Sequence, residues 1–312
     1  MSADILPGYQ AETLALRSDW EGPAVATLVH WAASPRAGDI ILYLHGYNDY
    51  VHCAELGPRF ADAGWSFYGL DLRKHGRSLL DHQTPSLVRG LSDYYEEIGL
   101  ALGRIRAREN VRRIVLLGHS TGGLIASLFA GECGGIDGLA LSSPFLAFRV
   151  SSSTEFLLNT WVRGLGRFRP SSVVARDPDP RYAWSLHRRY GRGGEWDYDE
   201  AWKRPGTLEL RAGFIRAVLQ AQRRVLQDLS IGVPTFALVS ETAGGEGPGF
   251  DAEWLRSDTV LDPGRILRCA RRLGPSVETV RIRGALHDPF LSTARVRDEA
   301  YAEVTGWLDR LA

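Results

Sequence analysis

The sequence has little cysteine and no excess of charge of either sign. Its cysteines, Cys53, Cys133 and Cys269, are widely spaced, which fits neither a disulfide framework nor the paired spacing of zinc ligands. Lys plus Arg number 37 and Asp plus Glu also number 37, so the chain has no overall field that would attract nucleic acid or an anionic membrane. These shortages predict a protein of a reducing compartment that does not bind nucleic acid.

Long apolar runs are missing as well. No uninterrupted apolar run is long enough to span a bilayer, and residues 1–7 lack the basic region and apolar stretch of a secretory signal. The sequence also shows no cluster of metal-ligating residues and no phosphate-binding glycine loop. We therefore expect a cytoplasmic protein with no integral membrane segment, no metal and no cofactor, and leave its oligomeric state open.

What the sequence does contain is a regular alternation of apolar segments. Two β-rich stretches around the turn at 19–23 predict an opening hairpin. Beyond it, short apolar runs of strand length, the first at 39–44, alternate with segments of helical spacing, the last at 294–311. Nearly continuous apolar strands are typical of parallel sheets that are buried on both faces. The pattern therefore indicates an α/β protein with a mostly parallel central sheet and helices on both faces.

The alternation stops between Pro144 and about Leu229. There Trp, Tyr and Phe stand among arginines, and Pro and Gly interrupt the pattern. Strand-like runs return at 233–240 and 277–282. We therefore predict one α/β core, made of residues 1–143 and 230–312, with a mainly helical cap inserted at 144–229.

Residues Gly118 to Gly122 read Gly-His-Ser-Thr-Gly and fit the pattern G-x-S-x-G. In enzymes with this pattern, the glycines relieve crowding where a strand turns sharply into a helix and exposes the serine. The short pattern occurs by chance in many proteins, but here an apolar strand precedes it and an apolar helix follows it. We therefore predict Ser120 to be a nucleophile. The structural alternative is a glycine-rich turn whose serine caps the helix.

Two backbone amides are candidates for an oxyanion hole, the site that stabilises a tetrahedral intermediate. The N–H of Thr121 stands at the positive end of the helix that follows Ser120. The N–H of Tyr47 follows His45-Gly46 at the end of the first buried strand, where such enzymes supply a second donor. A plain strand-end turn is the alternative for Tyr47.

One histidine, His287, stands in the setting that a general base requires. It follows the last predicted strand and so emerges at the same sheet edge as Ser120, whose proton it can accept. His45, His75 and His119 lie in motif loops, where we expect them to hydrogen-bond and shape the site.

The acid of a triad comes between the nucleophile and the base in this fold. Asp251, Asp258 and Asp262 all satisfy that order. Asp262 precedes Pro263 and has a simpler role as a helix cap, which leaves Asp258 better placed. The alternative for Asp258 is a carboxylate in a solvated loop, because the preceding span Glu241–Ser257 is long and irregular.

With these residues assembled, the chain resembles the monoglyceride lipase and lysophospholipase group of α/β hydrolases, also described as serine aminopeptidase-like, and most of all its bacterial members. The resemblance covers nearly the whole chain. It is carried by His45-Gly46 after a strand, Asp71-Leu72-Arg73 leading to His75-Gly76-Arg77-Ser78, Gly118 to Gly123, Ser257-Asp258-Thr259-Val260-Leu261-Asp262-Pro263, and the loop of His287. It implies the α/β-hydrolase fold.

The resemblance also implies a role for each part of the site. By this likeness, Asp258 takes the acid position, Tyr47 and Thr121 take the oxyanion positions, and Pro144–Leu229 forms the lid over an acyl pocket. The Gly-rich insertion at 243–249 departs from the short loop that is usual in the group.

Members of this group act on monoacylglycerols, lysophospholipids and small esters. We therefore expect a serine hydrolase that cleaves a small-molecule carboxylic ester through an acyl-enzyme intermediate on Ser120. The alternatives are an aminopeptidase or amidase of the same fold, and a non-catalytic hydrolase-fold binding protein. Apolar cap residues are candidate substrate contacts, or else pack the cap onto the core: Phe145, Leu146, Phe156 and Trp161.

Overall fold

The computed structural model describes residues 1–35, 38–149, 162, 164–177, 179–206, 208–227 and 229–311. In these ranges the strands are β1 Ser2–Ala3, β2 Tyr9–Asp19, β3 Gly22–Trp31, β4 Asp39–Leu44, β5 Ser66–Asp71, β6 Arg113–His119, β7 Gly138–Ser142, β8 Val173–Asp177, β9 Leu208–Arg211, β10 Thr235–Ser240 and β11 Val277–Ile282. The helices are α1 Leu56–Asp62, α2 Tyr95–Arg108, α3 Thr121–Glu132, α4 Arg181–Leu186, α5 Ala212–Gln227, α6 Pro263–Ala270 and α7 Ala294–Asp309. No helix within these ranges has the length and apolar character needed to cross a membrane.

The large sheet has the strand order β1-β2-β3-β5-β4-β6-β7-β10-β11 in the described part of the chain. Strands β1, β2 and β3 pair antiparallel, β3 joins β5 antiparallel, and every pairing from β5 to β11 is parallel. The antiparallel pair β2 and β3 confirms the predicted opening hairpin. The parallel strands confirm the predicted α/β class, with its mostly parallel central sheet.

Strand β4 shows why the centre of the sheet is apolar on both faces. All six of its residues are buried. Ile40 and Leu42 face the core cluster that contains apolar residues of α2 and α3. Ile41 and Tyr43, which alternate with them, face the opposite cluster with residues of α1 and α7. A strand covered by helices on both sides therefore needs a nearly continuous apolar run, as its sequence has.

Between β7 and β10 the chain leaves the large sheet. We call the described residues between 144 and 229 the cap. They contain the helices α4 and α5 and a small antiparallel pair, β8 with β9. The prediction of a mainly helical segment did not include this pair. Its strands are short, with the sequences Val-Val-Ala-Arg-Asp and Leu-Glu-Leu-Arg, so a β pattern has too few residues in which to show.

The Gly-rich insertion after β10 leaves the sheet and returns to the same point. The backbone N–H of Asp258 donates to the carbonyl of Thr242 at 2.9 Å, and the N–H of Gly244 donates to the carbonyl of Asp258 at 2.9 Å. Between these paired ends, a 3-10 turn at Ala252–Leu255 buries Trp254. The insertion therefore keeps Asp258 at the carboxyl end of β10, as a short loop would.

Candidate active site

Ser120 lies on a strained bend between β6 and α3. Its backbone angles are φ 52° and ψ −118°, a conformation that costs a non-glycine residue energy and persists only when the surroundings enforce it. A Cβ atom at Gly122 would lie 2.2 Å from the carbonyl oxygen of Leu44, and one at Gly118 would lie 2.6 Å from the carbonyl oxygen of Gly122. Only glycine fits at these two positions, so the motif residues allow the sharp turn that presents the serine.

His287 and Asp258 form a buried hydrogen-bonded pair. The ring Nδ1 of His287 lies 2.9 Å from Oδ2 of Asp258. The other carboxylate oxygen accepts the backbone N–H groups of Val260 at 2.9 Å and Leu261 at 2.7 Å. An Nδ1–H that donates to a fixed carboxylate leaves Nε2 of the ring as a hydrogen-bond acceptor. His287 lines the same cavity as Ser120.

The other two candidate acids have local roles. Oδ1 of Asp262 accepts the N–H of Arg265 at 3.0 Å and caps α6, whose first residue is Pro263. Oδ1 of Asp251 accepts the N–H of Glu253 at 2.9 Å at the start of the neighbouring 3-10 turn. Of the three aspartates, Asp258 is therefore the one that the structure brings to the histidine.

The end of β4 packs directly against the serine. A Cβ atom at Gly46 would lie 3.2 Å from Cβ of Ser120, so the backbone approaches closely because residue 46 has no side chain. Tyr47 and Thr121 both line the cavity with Ser120. Thr121 is in the first turn of α3, where N–H groups have no acceptor within the helix. The two predicted oxyanion residues are thus at the same cavity as the serine.

The cavity has a volume of about 320 Å³ and a largely apolar wall. Phe145 lines it, as predicted, together with Phe148. Leu146 does not contact it and packs in the hydrophobic core. The prediction of Leu146 as a substrate contact is therefore corrected, because its side chain is fully buried among core residues. Phe156 and Trp161 lie outside the described residues.

Several lining residues gave no signal in the sequence. The cap contributes Leu210 from β9 and Phe214 and Ile215 from α5. The apolar face of α5 also packs against α3 in the core, so periodicity alone cannot separate cavity residues from packing residues. Lys203 and Asp49 also line the cavity, and only the fold brings them together. Among the described residues, no three His, Cys, Asp or Glu side chains are grouped as metal ligands.

Three buried histidines surround the loops of the site. Burial lowers the pKa of His45 to about 4 and the pKa of His75 and His119 to about 3. Nε2 of His45 accepts the N–H of Leu72 at 3.1 Å, so its Nδ1–H donates to the carbonyl of Gly46 at 2.8 Å. These rings are neutral at pH 7 and fix loop conformation, as we expected of the motif histidines.

A second buried carboxyl group, Asp288, lies next to His287 in sequence. Its Oδ2 lies 3.9 Å from Nε2 of His119, and its Oδ1 accepts the N–H of Phe290 at 3.1 Å. Burial raises the pKa of Asp288 to about 6, and the ammonium of Lys203 opposes that rise. In the sequence, Asp288 looks like an ordinary turn residue, because its raised pKa comes from tertiary burial.

The mostly parallel sheet, the serine on the bend between β6 and α3, and the histidine beyond β11 define the α/β-hydrolase class. A family model described as serine aminopeptidase, S33, matches residues 35–242. The chain belongs to that family.

Similar proteins agree with this class. The monoacylglycerol lipase of Mycolicibacterium smegmatis is 27% identical over 162 residues, which are 48% of this chain and 55% of that protein. The match therefore spans about half the length of that relative. A soluble variant of monoglyceride lipase from Saccharomyces cerevisiae, solved with a substrate analogue, has a TM-score of 0.72 at 17% identity and covers 98% of this chain and 97% of its own. The monoacylglycerol lipase of Paleococcus ferrophilus has a TM-score of 0.64 at 17% identity, covering 97% and 99%.

Proposed function

We propose that this protein is a serine hydrolase that cleaves carboxylic esters with Ser120 as nucleophile, His287 as general base and Asp258 as the orienting acid. The observation that carries the proposal is the 2.9 Å bond between His287 and Asp258, at a cavity that also contains a serine on a strained bend. Nucleophile, base and orienting acid are the three parts that acyl transfer of this kind needs.

The reaction follows from the roles of these groups. Nε2 of His287 accepts the hydroxyl proton of Ser120 as its oxygen attacks the ester carbonyl. The resulting oxyanion accepts hydrogen bonds from the backbone N–H groups of Tyr47 and Thr121. The charged imidazole, which Asp258 stabilises, then gives its proton to the departing alcohol and leaves an acyl group on the serine. A water molecule, deprotonated by His287, releases the acid and restores the enzyme.

The cavity wall favours an acyl substrate with an apolar chain. Phe148, Leu210 and Phe214 contribute to a surface on which a hydrocarbon chain is stabilised by burial. Two similar proteins carry the name monoacylglycerol lipase. We therefore propose monoacylglycerols and related small acyl esters as the substrate class.

The family description raises peptide hydrolysis as the second function. An aminopeptidase must bind the ammonium group of its substrate, and a carboxylate in the cavity would serve that purpose. The two described aspartates of the cavity wall are already paired: Asp49 with Lys203 at 2.8 Å, and Asp179 with Arg181 at 2.6 Å. This pairing favours the ester over the aminoacyl substrate.

A single assay series tests the proposal. Purified protein is given p-nitrophenyl esters of increasing chain length, monoacylglycerols and aminoacyl nitroanilides, with Ser120→Ala as the matched control. We expect hydrolysis of the esters and monoacylglycerols, negligible release from the nitroanilides, and no activity in the variant. Faster cleavage of a nitroanilide than of every ester would replace the esterase assignment with a peptidase one. Full activity in Ser120→Ala would refute the nucleophile.

A further inference from the structure

Four consecutive residues of the loop after β4 hydrogen-bond to the cap. We call residues 47–50 the oxyanion loop, and residues 199–206 and 208–209 the cap arm. The bonds are Tyr47 Oη to the carbonyl of Glu209 at 3.0 Å, Asn48 Nδ2 to the carbonyl of Arg204 at 2.9 Å, Lys203 Nζ to Asp49 Oδ1 at 2.8 Å, and the Asp199 N–H to Tyr50 Oη at 2.8 Å. The cap arm therefore holds the loop at every position.

Asn48 is bound at both ends of its amide. Its Nδ2 donates to the carbonyl of Arg204, and its Oδ1 accepts the backbone N–H of Arg204 at 3.2 Å. The residue has φ 50°, a left-handed conformation that is uncommon without glycine. The bent backbone directly after Tyr47 is thus supported by a two-point contact with the cap and not by the core alone.

The ion pair in this contact is buried. Lys203 and Asp49 are both almost fully buried, and Lys203 Nζ also donates to Nε2 of His52 at 3.0 Å. Burial is the largest influence and would raise the pKa of Asp49, but the ammonium of Lys203 and the hydrogen bond to His52 together hold that pKa well below its usual range. A buried pair of this kind is costly to break, because separation leaves an unpaired charge away from water.

We infer that the cap arm positions the oxyanion donor, so that Asn48 and the pair of Lys203 with Asp49 are positioning residues for the Tyr47 N–H. This inference rests on the proposed function, in which that N–H binds the oxyanion. An oxyanion donor is effective only when it is held at hydrogen-bond distance from the developing charge. The cap is then part of the catalytic machinery, and a cap displaced from the loop leaves a weaker enzyme even with Ser120 and His287 in place.

Two variants release the loop without touching the triad. Asn48→Gly removes the amide contact, and glycine tolerates the left-handed backbone. The double variant Asp49→Asn with Lys203→Met removes both charges together, so that neither is left unpaired. We expect each to lower kcat roughly tenfold, with KM for a p-nitrophenyl ester changed less than about twofold, because a misplaced donor costs transition-state and not substrate binding.

The inhibition constant of a trifluoromethyl ketone gives a second measure, because its adduct with serine carries the oxyanion. It should rise in proportion to the fall in kcat/KM. The matched control is Trp196→Phe, which removes a different contact between cap and core, from Trp196 Nε1 to the carbonyl of Leu291 at 2.7 Å. This control should lose thermal stability and keep kcat.

The outcomes separate the inference from the proposed function. Three results would overturn the positioning role. One is an unchanged kcat in both loop variants, and another is an equal rise in KM and the inhibition constant. The third is a loss of kcat in Trp196→Phe equal to that of the loop variants. If Ser120→Ala is inactive in the same assay, the proposed function stands while the inference fails. If Ser120→Ala remains active, both are wrong.

Discussion

At the scale of single residues, the site depends on a serine in a conformation that few side chains accept. Ser120 has φ 52°, and the energy of that strain is of the order of 1–3 kcal/mol. The pairing of β6 in the sheet and the packing of α3 hold Ser120 in this strained conformation. The serine thereby lines the cavity, although it is almost fully buried, as are its neighbours His119 and Thr121.

The strain makes two inactive variants differ in stability. Ser120→Ala and Ser120→Gly should both lose ester hydrolysis and labelling by a fluorophosphonate probe, because each lacks the hydroxyl. Ser120→Gly should be the more stable by about 1 kcal/mol, since glycine relieves the strain at some cost in chain entropy. Activity, labelling and thermal unfolding of the pair check this. Labelling of either variant at the wild-type level would mean that another residue is the nucleophile.

Asp258 should matter for turnover far more than for stability. Asp258→Asn keeps the shape of the side chain but changes how the ring of His287 is held, and such a change lowers turnover by roughly four orders of magnitude. Steady-state kinetics with a p-nitrophenyl ester, together with circular dichroism to show that the variant is folded, measure the effect. A folded Asp258→Asn protein with near-normal turnover would remove this residue from the triad.

At the scale of elements, the loop that precedes the proposed acid Asp258 makes more hydrogen bonds than its Gly-rich composition suggests. The insertion after β10 is held by cap arginines: Nη1 of Arg149 donates to the carbonyl of Gly244 at 2.8 Å, and Nη1 of Arg181 donates to that of Gly249 at 2.8 Å. Both ends of the insertion pair through the backbone of Asp258, so its extra residues do not displace Asp258. The insertion is longer than the loop that is usual in the family, but its paired ends leave Asp258 at the carboxyl end of β10, where a short loop would also leave it.

The same loop contains a capping aspartate whose loss should affect stability alone. Asp262 accepts the N–H of Arg265 at the start of α6, and loss of such a cap costs about 1 kcal/mol. We expect Asp262→Ala to unfold at a lower temperature and to keep most of its turnover, the reverse of Asp258→Asn. If turnover fell in Asp262→Ala and not in Asp258→Asn, with both folded, Asp262 would be the acid.

At the scale of the whole molecule, buried ionisable groups should set the acid limit of stability. Burial lowers the pKa of His45 to about 4 and the pKa of His75 and His119 to about 3. Below pH 6.5 these histidines are therefore protonated in the unfolded chain but neutral in the native protein, which favours unfolding. Asp288, with its pKa raised to about 6, acts in the opposite direction because its native form takes up a proton first. Burial also lowers the pKa of His52 and raises the pKa of Asp71 and Glu97. Four histidines still outnumber three carboxyl groups, so stability should fall with falling pH.

We expect the free energy of unfolding to decrease between pH 6.5 and 5 by roughly 1–2 kcal/mol per pH unit, because unfolding takes up about one net proton, at about 1.4 kcal/mol per pH unit. Asp288→Asn should be more stable than the wild type at pH 7.5, by about 2 kcal/mol, because the ionised carboxylate is gone. It should also lose stability more steeply on acidification. Urea unfolding at pH 7.5, 6.5 and 5.5 measures both slopes, and equal slopes would disprove the role of Asp288.

Local patterns along the chain were enough to predict the class of fold, the motif residues and their order. Apolar runs buried on both faces define β4, β6 and β10 locally, and the carboxyl ends of parallel strands share one edge, so Ser120 and His287 could be placed together from strand order alone. The capping role of Asp262 followed from its neighbour Pro263 in the same way.

Which aspartate meets the histidine, and which side chains line the cavity, depends on contacts between segments that are far apart in sequence. Asp258 reaches His287 through the pairing of loop ends, Leu146 is buried in the core whereas Phe145 also lines the cavity, and Lys203 lies some 150 residues along the chain from its partner Asp49. Such contacts join segments that are distant in sequence. Local periodicity does not predict these contacts, because helix and strand patterns indicate which residues are buried but not which residues they contact.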